Sequence, residues 1–482
     1  MRERVNMSSE KPILLNAFAM NTIGHQSPGL WKHPEDTSRD YNKLSHWVEL
    51  ARILEEGRFS ALFLADVMGV YDAYANSPET ALRSGAQIPL ADPAVIVAGM
   101  AAATKNLGFG VTAGTAYEHP VGLARRMATL DHITGGRVGW NVVTGYLESA
   151  AKNFGQTSQM EHDERYDHAD EYLEVVYKLL EGSWEDDAVV ADRESGLFVD
   201  PAKVHPIEHE GTWFNVPGIA ITEPSRQRTP VIFQAGASSR GMAFAGKHAE
   251  AVFVSQATKE GLAKTVKKIR EATVAAGRNA DDVKIFAMIT PVVGKTNEEA
   301  WEKFREYQSY ADEQGALALL AGWTGIDLSE YPLDAVIGED VESNAIQSAV
   351  NMFQAASGDS DKPWNVGQLA RYIGVGGFGP VAVGTGREVA EQFHEWVRDT
   401  GVDGFNVAYA VKPGTFRDVV DYVIPELEAL GVYPSAEEAA DATVAWDADR
   451  PVEDQTGSSL RHALFGRGDR LPENHPGAAV RR

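Results

Sequence analysis

The stretch TPVIFQAGASSRGMAFA, residues 229–245, is the part of the sequence that decides the fold. The apolar run 231–233 predicts a buried strand, and a helical pattern begins at Arg240, with the small residues 235–239 before it. Such a turn leaves backbone N–H groups and the positive end of the helix facing open space, which suits a phosphate group. Gly236 permits close approach, and Ser238 can cap the helix or bind an anion. An ordinary βα turn with a serine cap is the alternative interpretation.

The same order of strand and helix repeats along the whole chain. Eight apolar segments predict strands at 13–20, 61–66, 107–115, 137–144, 231–236, 251–256, 283–294 and 404–410. Eight strands alternating with helices in a chain of 482 residues predict an α/β fold, a (β/α)₈ TIM barrel with insertions. A doubly wound parallel sheet is the alternative, because periodicity does not separate the two.

Three regions of the chain are distinguished by composition. Residues 1–433 are expected to form a single barrel, and the segment 312–380 within them is too long for a simple loop. Its apolar and aromatic residues predict an ordered, lid-like insertion. Residues 434–482 are first acidic and then rich in Pro, Gly and Arg, so we expect an extension that packs on the surface or on a partner subunit.

The composition excludes several classes of protein. The formal net charge of −25 argues against a nucleic-acid partner. The chain has no cysteine, which excludes disulfides, zinc–thiolate sites, iron–sulfur clusters and cysteine nucleophiles. No apolar run reaches the length of a membrane helix, and the polar N-terminus does not resemble a signal peptide, so we expect no membrane contact and a cytoplasmic location.

The residues that follow the predicted strands would meet at one mouth of a barrel. They are mostly neutral, polar or aromatic: His25, Asp66, Tyr71, Thr112, Asn141, Thr144 and Tyr146. This lining suits a flat aromatic cofactor with a polyol and phosphate tail better than metal or glycoside hydrolysis, which need convergent acids or histidines. The alternatives are a surface position for His25 and, for Asp66, a carboxylate satisfied by neighbouring backbone N–H groups.

Two further motifs are interpreted as structural. The acids and histidines of 162–170 lack the spacing of a zinc site and are expected on the solvent face of an amphipathic helix, so no metal site is predicted. Gly374, Gly376 and Gly379 form a GxGxxG pattern followed by an extended segment rather than a helix, which argues against a dinucleotide fingerprint and favours a hinge.

Four segments together closely resemble the bacterial luciferase-like flavin monooxygenases. They are ALFLAD (61–66), ARRMATLDHITGGRVGWNVVTGYLESAAKNFG (124–155), HDERYDHADEYLEVVYKLLEGSWEDDA (162–188) and TPVIFQAGASSRGMAFAGKHAEAVF (229–253). The branch they resemble contains the nitrilotriacetate, dibenzothiophene sulfone, dimethylsulfide and long-chain alkane monooxygenases.

The resemblance implies a (β/α)₈ barrel that binds reduced FMN (FMNH₂) supplied by a separate NAD(P)H:flavin reductase. Oxygen would add at the flavin C4a to give a hydroperoxide, which transfers one oxygen atom from O₂ to an organic substrate. A homo-oligomer, dimer or tetramer, is also implied.

The resemblance also assigns roles to residues by position. Tyr166, Gly236, Ala237 and Ser238 would hold the phosphate, and Asn141, Thr144 and Tyr146 would lie along the ribityl chain and ring edge. Asp66 and Thr112 would flank the isoalloxazine ring. The substrate side would be lined by His25, Tyr71 and Gln87.

Two departures from the family pattern bear on the substrate. Thr22 stands where the alkane- and dimethylsulfide-oxidising relatives carry cysteine, and Leu319 stands where the alkane enzyme has histidine. The predicted substrate is therefore a small, mostly apolar organic compound, first a thioether such as dimethylsulfide and second a long-chain alkane. The remaining alternatives are a deazaflavin-dependent hydride-transfer enzyme, a metal-dependent barrel hydrolase and a non-catalytic flavin-binding protein.

Overall fold

The computed structural model describes residues 11–236, 238–337, 363–438 and 458–482. The strands are β1 (Leu14–Met20), β2 (Ala61–Ala65), β3 (Gly108–Gly114), β4 (Val138–Val143), β5 (Val189–Asp192), β6 (Leu197–Val199), β7 (His209–Glu210), β8 (Asn215–Val216), β9 (Val231–Gln234), β10 (Ala251–Val254), β11 (Lys284–Gly294), β12 (Val381–Thr385) and β13 (Gly404–Val407). Each of the eight predicted strands is present.

Eight of these strands form a closed parallel barrel. The hydrogen-bonded order is β1–β2–β3–β4–β9–β10–β11–β13, and β13 pairs with β1 to complete the ring. The pairing of β10 with β11, Ala251 opposite Lys284, is the contact that an open sheet would lack. The prediction of a (β/α)₈ barrel is therefore confirmed, and the doubly wound alternative is wrong.

The strand β11 is longer than the others because it pairs with three neighbours. Its first part pairs with β10 and β13, and its last five residues, Thr290–Gly294, pair with β12. Nearly all of its eleven residues are buried, as is usual for a parallel strand covered on both faces.

Helices cover the outside of the barrel and form the connections. They are α1 (Leu44–Glu56), α2 (Glu79–Ser84), α3 (Pro93–Ala102), α4 (Pro120–Thr134), α5 (Glu148–Asn153), α6 (His162–Tyr177), α7 (Ser239–His248), α8 (Lys259–Ala275), α9 (Asn297–Tyr310), α10 (Glu313–Thr324), α11 (Val366–Ile373), α12 (Gly386–Thr400), α13 (Gly414–Asp418), α14 (Ile424–Ala429) and α15 (Leu460–Phe465). Among the described residues, no helix is both long enough and apolar enough to cross a membrane.

The described part of segment 312–380 has an apolar core of its own. Helices α10 and α11 pack on each other, and Leu317, Leu320 and Leu369 are fully or almost fully buried between them. Residues 338–362 of this segment lie outside the described residues.

The C-terminal helix α15 packs against the amino-terminal end of the barrel. Leu460 and Leu464 join the apolar cluster of the barrel interior, and a Cβ atom at Gly108 would lie 2.6 Å from Leu460 Cδ1. Arg461 forms a two-point ion pair with Glu250, at 2.6 and 2.8 Å, and both side chains are only 2% exposed. The last described segment is thus part of the barrel's core.

We expect Arg461→Ala to lower the free energy of unfolding by about 3–5 kcal/mol, because it leaves the Glu250 carboxylate buried without its partner. Urea unfolding followed by circular dichroism measures the change. Arg83→Ala is the matched control, since its pair with Glu79 is 78% and 67% exposed, and it should cost about 0.5 kcal/mol or less. Equal losses in the two variants would contradict the structural role of Arg461.

Candidate active site

A cavity of about 400 Å³ opens at the carboxyl ends of the barrel strands. Three aromatic side chains from the barrel interior line it: Phe18, Phe63 and Phe253. The ring centroid of Phe18 lies 4.7 Å from that of Phe253 and 5.7 Å from that of Phe63. These rings fill the barrel below the mouth and give the cavity an apolar, aromatic wall.

Glycine at position 139 makes room for this aromatic packing. A Cβ atom on Gly139 would lie 2.9 Å from Cδ2 of Phe233, whose ring packs edge-on against Phe63 at 5.5 Å. Any side chain at this point of β4 would displace Phe233, so the aromatic wall depends on the glycine.

Polar side chains from neighbouring strands form another part of the lining. Thr112 on β3 and Asn141 on β4 are register partners, and the Asn141 amide donates to the Thr112 hydroxyl at 2.8 Å. Asn141 Oδ1 and Gln234 Oε1 are buried and have no hydrogen-bond partner among the described residues. Because buried acceptors are normally paired, these two oxygens are available to a ligand that carries hydrogen-bond donors.

The turn after β9 gives the cavity an end suited to an anion. Ser238 caps α7, its hydroxyl accepting from Gly241 N–H at 3.0 Å, as the sequence predicted. A Cβ atom on Gly236 would lie 2.9 Å from the Tyr166 hydroxyl, so the glycine lets the Tyr166 side chain lie close to the backbone of this turn. Ala237 lies outside the described residues.

One face of α6 lines the same end of the cavity. His162, Arg165 and Tyr166 are spaced three and four residues apart, so they project from one side of the helix. Arg165 donates to the Gly145 carbonyl, and its Nε is buried with no partner among the described residues. Sequence reasoning identified Tyr166 but missed Arg165, because the face of α6 that meets the cavity is set by tertiary packing and not by local spacing.

Asp66 lies at the boundary of the cavity with an adjoining groove of about 930 Å³. Burial, and then the negative charge of Asp92, raise the pKa of the Asp66 carboxyl to about 7. Asp66 therefore changes charge near neutral pH at a position where it contacts both spaces.

The eight described cofactor residues predicted from the sequence line this one cavity: Asp66, Thr112, Asn141, Thr144, Tyr146, Tyr166, Gly236 and Ser238. The three predicted substrate-side residues do not line it. Gln87 lines the adjoining groove, while His25 and Tyr71 are buried behind the cavity wall.

These three residues are connected to one another and to the cavity. The Tyr71 hydroxyl lies 2.6 Å from that of Tyr146 and 3.0 Å from Gln87 Oε1, and Gln87 Nε2 donates to the His25 carbonyl at 2.9 Å. The His25 ring packs edge-on against Phe18 at 4.4 Å. Burial, and then the charge of Lys412, lower the pKa of His25 to about 3, so its imidazole is neutral at physiological pH.

The acids of 162–170 form ion pairs across the surface of α6 and α7. Arg240 binds Asp167 at 2.7 Å and Asp170 at 2.8 Å, and Asp170 also accepts from His248. The prediction of a wholly solvated face is therefore wrong for Asp170, which is only 22% exposed because α7 covers it. The part of the chain that the structure describes contains no cluster of three or more His, Asp or Glu residues that could hold a metal ion.

The glycine motif at 374–379 lies between α11 and β12, so a helix precedes it and a strand follows. This order is the reverse of a dinucleotide-binding turn, in agreement with the sequence analysis. Gly376 and Gly377 have φ of +88° and +65°, which side chains rarely adopt.

The two departures from the family pattern are both fully buried. The Thr22 hydroxyl donates to the Pro89 carbonyl at 2.7 Å, so it holds the neighbouring loop. Leu319 on α10 belongs to an apolar cluster with Tyr71, Ala86 and Leu147. Its side chain thus makes this region behind the cavity apolar.

Comparison with known proteins identifies the family. The model of the luciferase-like monooxygenase family matches residues 20–404. The chain belongs to the luciferase-like monooxygenase family. It is 47% identical to the dimethyl-sulfide monooxygenase of Hyphomicrobium sulfonivorans over 98% of this chain and 94% of that protein. It is 46% identical to the long-chain alkane monooxygenase of Geobacillus thermodenitrificans over 98% of both chains.

The solved structures of relatives agree with this assignment. The crystal structure of the Hyphomicrobium sulfonivorans protein covers 98% of this chain and 96% of its own, with a TM-score of 0.88. A riboflavin lyase solved with modified FMN and riboflavin is 36% identical, with a TM-score of 0.84 over 98% of this chain and all of its own. The prediction of a flavin-dependent monooxygenase from this branch of the family is confirmed.

We expect the stability of the protein to depend on pH through Asp66. Its pKa of about 7 in the folded chain is above the value of about 4 in an unfolded chain, so folding favours the protonated form. The stability that this proton contributes is present at low pH and is lost as the pH rises towards 7. The difference in urea midpoint between wild type and Asp66→Asn should therefore change between pH 5 and 7 and become constant above about pH 8.

Asp92→Asn is the control for this pH dependence. Asparagine keeps the cap of α3, where Asp92 Oδ1 accepts from Ala94 N–H at 2.8 Å, but removes the charge that faces Asp66. The pH dependence attributed to Asp66 should then shift to lower pH. Parallel pH profiles for wild type and Asp66→Asn would contradict the assignment.

Proposed function

We propose that this chain is the oxygenase component of a two-component monooxygenase that uses reduced FMN and O₂ and acts on a small, mostly apolar organic compound. The observation that carries the proposal is one cavity with an anion-suited end, open polar atoms along its side and an aromatic wall. A phosphate, a ribityl chain and a flat ring system need these three surroundings in that combination.

At the anion-suited end, Gly236, Ser238, Tyr166 and Arg165 hold the phosphate in this proposal. The N-terminus of α7 and the Arg165 guanidinium supply positive charge in a protein whose net charge is −25. The riboflavin lyase solved with modified FMN supports FMN as the flavin, since its fold and a third of its sequence are shared with this chain.

Along the side of the cavity, Asn141, Thr144 and Tyr146 contact the ribityl chain and ring edge in this proposal, and Asp66 and Thr112 flank the ring. When bound, the reduced flavin supplies the reaction with O₂. The protein binds and orients it, keeps His25 neutral behind the aromatic wall and limits access of water. We assign the last task in part to helix α10, which covers Tyr71.

A thioether is the substrate that we propose first, because the dimethyl-sulfide monooxygenase is similar over nearly the whole chain. The apolar cluster of Leu319, Leu147 and Ala86 supports an uncharged substrate. A long-chain alkane is the second candidate, supported by the alkane monooxygenase. Reduced flavin comes from a separate NAD(P)H:flavin reductase in this proposal.

We also propose that the chain forms a homo-oligomer. Helix α3 is apolar on all sides, yet it leaves Val95 75% exposed, with Ala98 and Ala102 on the same exposed face. A helix of this kind is normally buried, and a second copy of the chain would cover it. Light scattering of the purified protein tests this proposal.

We expect Arg165→Gln to weaken FMN binding about tenfold, because it removes a charged donor from the phosphate end. Binding of riboflavin, which lacks the phosphate, should change little. Fluorescence titration with both ligands measures the difference, and Arg52→Gln, an exposed change on α1, is the control. Equal losses of affinity for FMN and riboflavin would contradict a contact between Arg165 and the phosphate.

The proposed reaction is tested by single turnovers with prereduced FMN and ¹⁸O₂. With dimethylsulfide as substrate, we expect one ¹⁸O atom in the product and little free hydrogen peroxide. The His25→Ala variant should bind FMN normally but release more peroxide and less product per flavin, because it opens the wall behind Phe18. Consumption of flavin and oxygen without labelled product from any thioether or alkane would contradict the proposal.

A further inference from the structure

The Tyr71 hydroxyl is the junction of a buried hydrogen-bond network. It lies 3.1 Å from the indole Nε1 of Trp323, 3.0 Å from Gln87 Oε1 and 2.6 Å from the Tyr146 hydroxyl. Tyr71 is only 2% exposed, so water does not compete for these contacts. Only Tyr146 among these four residues also lines the cavity.

Chemistry fixes the direction of two of the three bonds. An indole N–H can only donate, so Trp323 donates to Tyr71. A main-chain carbonyl can only accept, so the contact of Gln87 with the His25 carbonyl at 2.9 Å must be made by the amide nitrogen. The amide oxygen of Gln87 therefore faces Tyr71, and it can only accept.

The direction of the third bond follows from counting protons. Tyr71 has one hydroxyl proton, and Gln87 Oε1 needs it, since otherwise two oxygen atoms would face each other at 3.0 Å without a proton. Tyr146 must then donate its own proton to Tyr71. The Tyr146 oxygen has only lone pairs left for any other contact.

The fold holds this network in one arrangement. Gln87 adopts a φ of +54°, which is costly for a residue with a side chain, and its N–H donates to the Gly24 carbonyl at 2.7 Å. On the other side, a Cβ atom on Gly322 would overlap the ring of Tyr71, so the glycine lets α10 approach closely enough for Trp323 to donate.

The two redox states of a flavin differ in whether certain ring nitrogens can donate a hydrogen bond. The reduced ring carries N–H groups at ring nitrogens that in the oxidised ring have only lone pairs. A cavity wall that can only accept a hydrogen bond therefore matches the N–H groups of the reduced ring and repels the lone pairs of the oxidised ring.

We propose that Tyr71 and Gln87 are positioning residues that make Tyr146 an acceptor toward the cavity, and that this polarity makes the site prefer reduced over oxidised flavin. The inference rests on the proposed function, since it takes flavin as the ligand of the cavity. It assigns to the buried residues a part in ligand choice without requiring them to touch the ligand.

The test compares the dissociation constants of oxidised FMN and of FMNH₂, the latter measured anaerobically, for wild type and three variants. Tyr71→Phe removes the acceptor for the Tyr146 proton, and Gln87→Leu lets Tyr71 donate to Tyr146 instead. In both, Tyr146 can donate into the cavity, and we expect the preference for FMNH₂ to fall about tenfold. Trp323→Phe is the matched control, because it removes one bond to Tyr71 without changing the direction of the others, and it should keep the preference.

The outcomes separate this inference from the proposed function. Wild type that binds neither form of FMN would contradict the proposed function itself. Wild type that binds both forms equally would overturn the inference alone. So would an unchanged preference in folded Tyr71→Phe, or an equal fall in Trp323→Phe. Tyr71→Phe decides the matter if Gln87→Leu does not fold, since it removes a single oxygen atom.

Discussion

Closure of the parallel strand ladder is the constraint on which the rest of this structure depends. Once β10 pairs with β11, all eight strands run in one direction around a ring, and their carboxyl ends meet at one mouth. The interior below the mouth must then be filled, and Phe18, Phe63 and Phe253 fill it. The same rings form the aromatic wall of the cavity. Packing of the core and shape of the site are thus set by the same side chains.

The charges of the protein are arranged around this mouth in two different ways. Among the described residues, most acids are at least partly exposed, and some are paired as Asp170 is with Arg240; the chain as a whole has a strongly negative net charge. At the turn after β9, the N-terminus of α7 and Arg165 face the cavity instead. An anionic ligand would therefore be held by short-range contacts, against the field of the whole protein. Behind the wall, burial keeps His25 neutral, so the deeper part of the site lacks positive charge at that point.

Two helices outside the barrel strands, α10 and α15, complete the site and the core, one at each end of the barrel. Helix α10 reaches the mouth, where Trp323 donates to Tyr71, and α15 packs at the opposite end, where Arg461 pairs with Glu250. Both contacts join residues more than 200 positions apart in the sequence. Each uses a buried polar group, whose partner must be present for the fold to tolerate it. Segments that composition alone marks as insertions or tails are therefore integral to the described structure.

The sequence by itself determined the order of strands and helices, the phosphate-suited turn at Gly236 and Ser238, and the cavity residues at the other strand ends, Asp66, Thr112, Asn141, Thr144 and Tyr146. Tyr166, on α6, came from the family resemblance. Apolar periodicity and turn chemistry are local properties, so they can be read without the fold. Periodicity did not separate a barrel from an open sheet, because buried parallel strands have the same pattern in both, and the tertiary structure decided for the barrel. The tertiary structure also decided that Arg165 faces the cavity, that Tyr71 lies behind the cavity wall and that Gln87 lines the adjoining groove. Those positions depend on how α6 and α10 pack against strands far away in the sequence, and local periodicity carries no record of that packing.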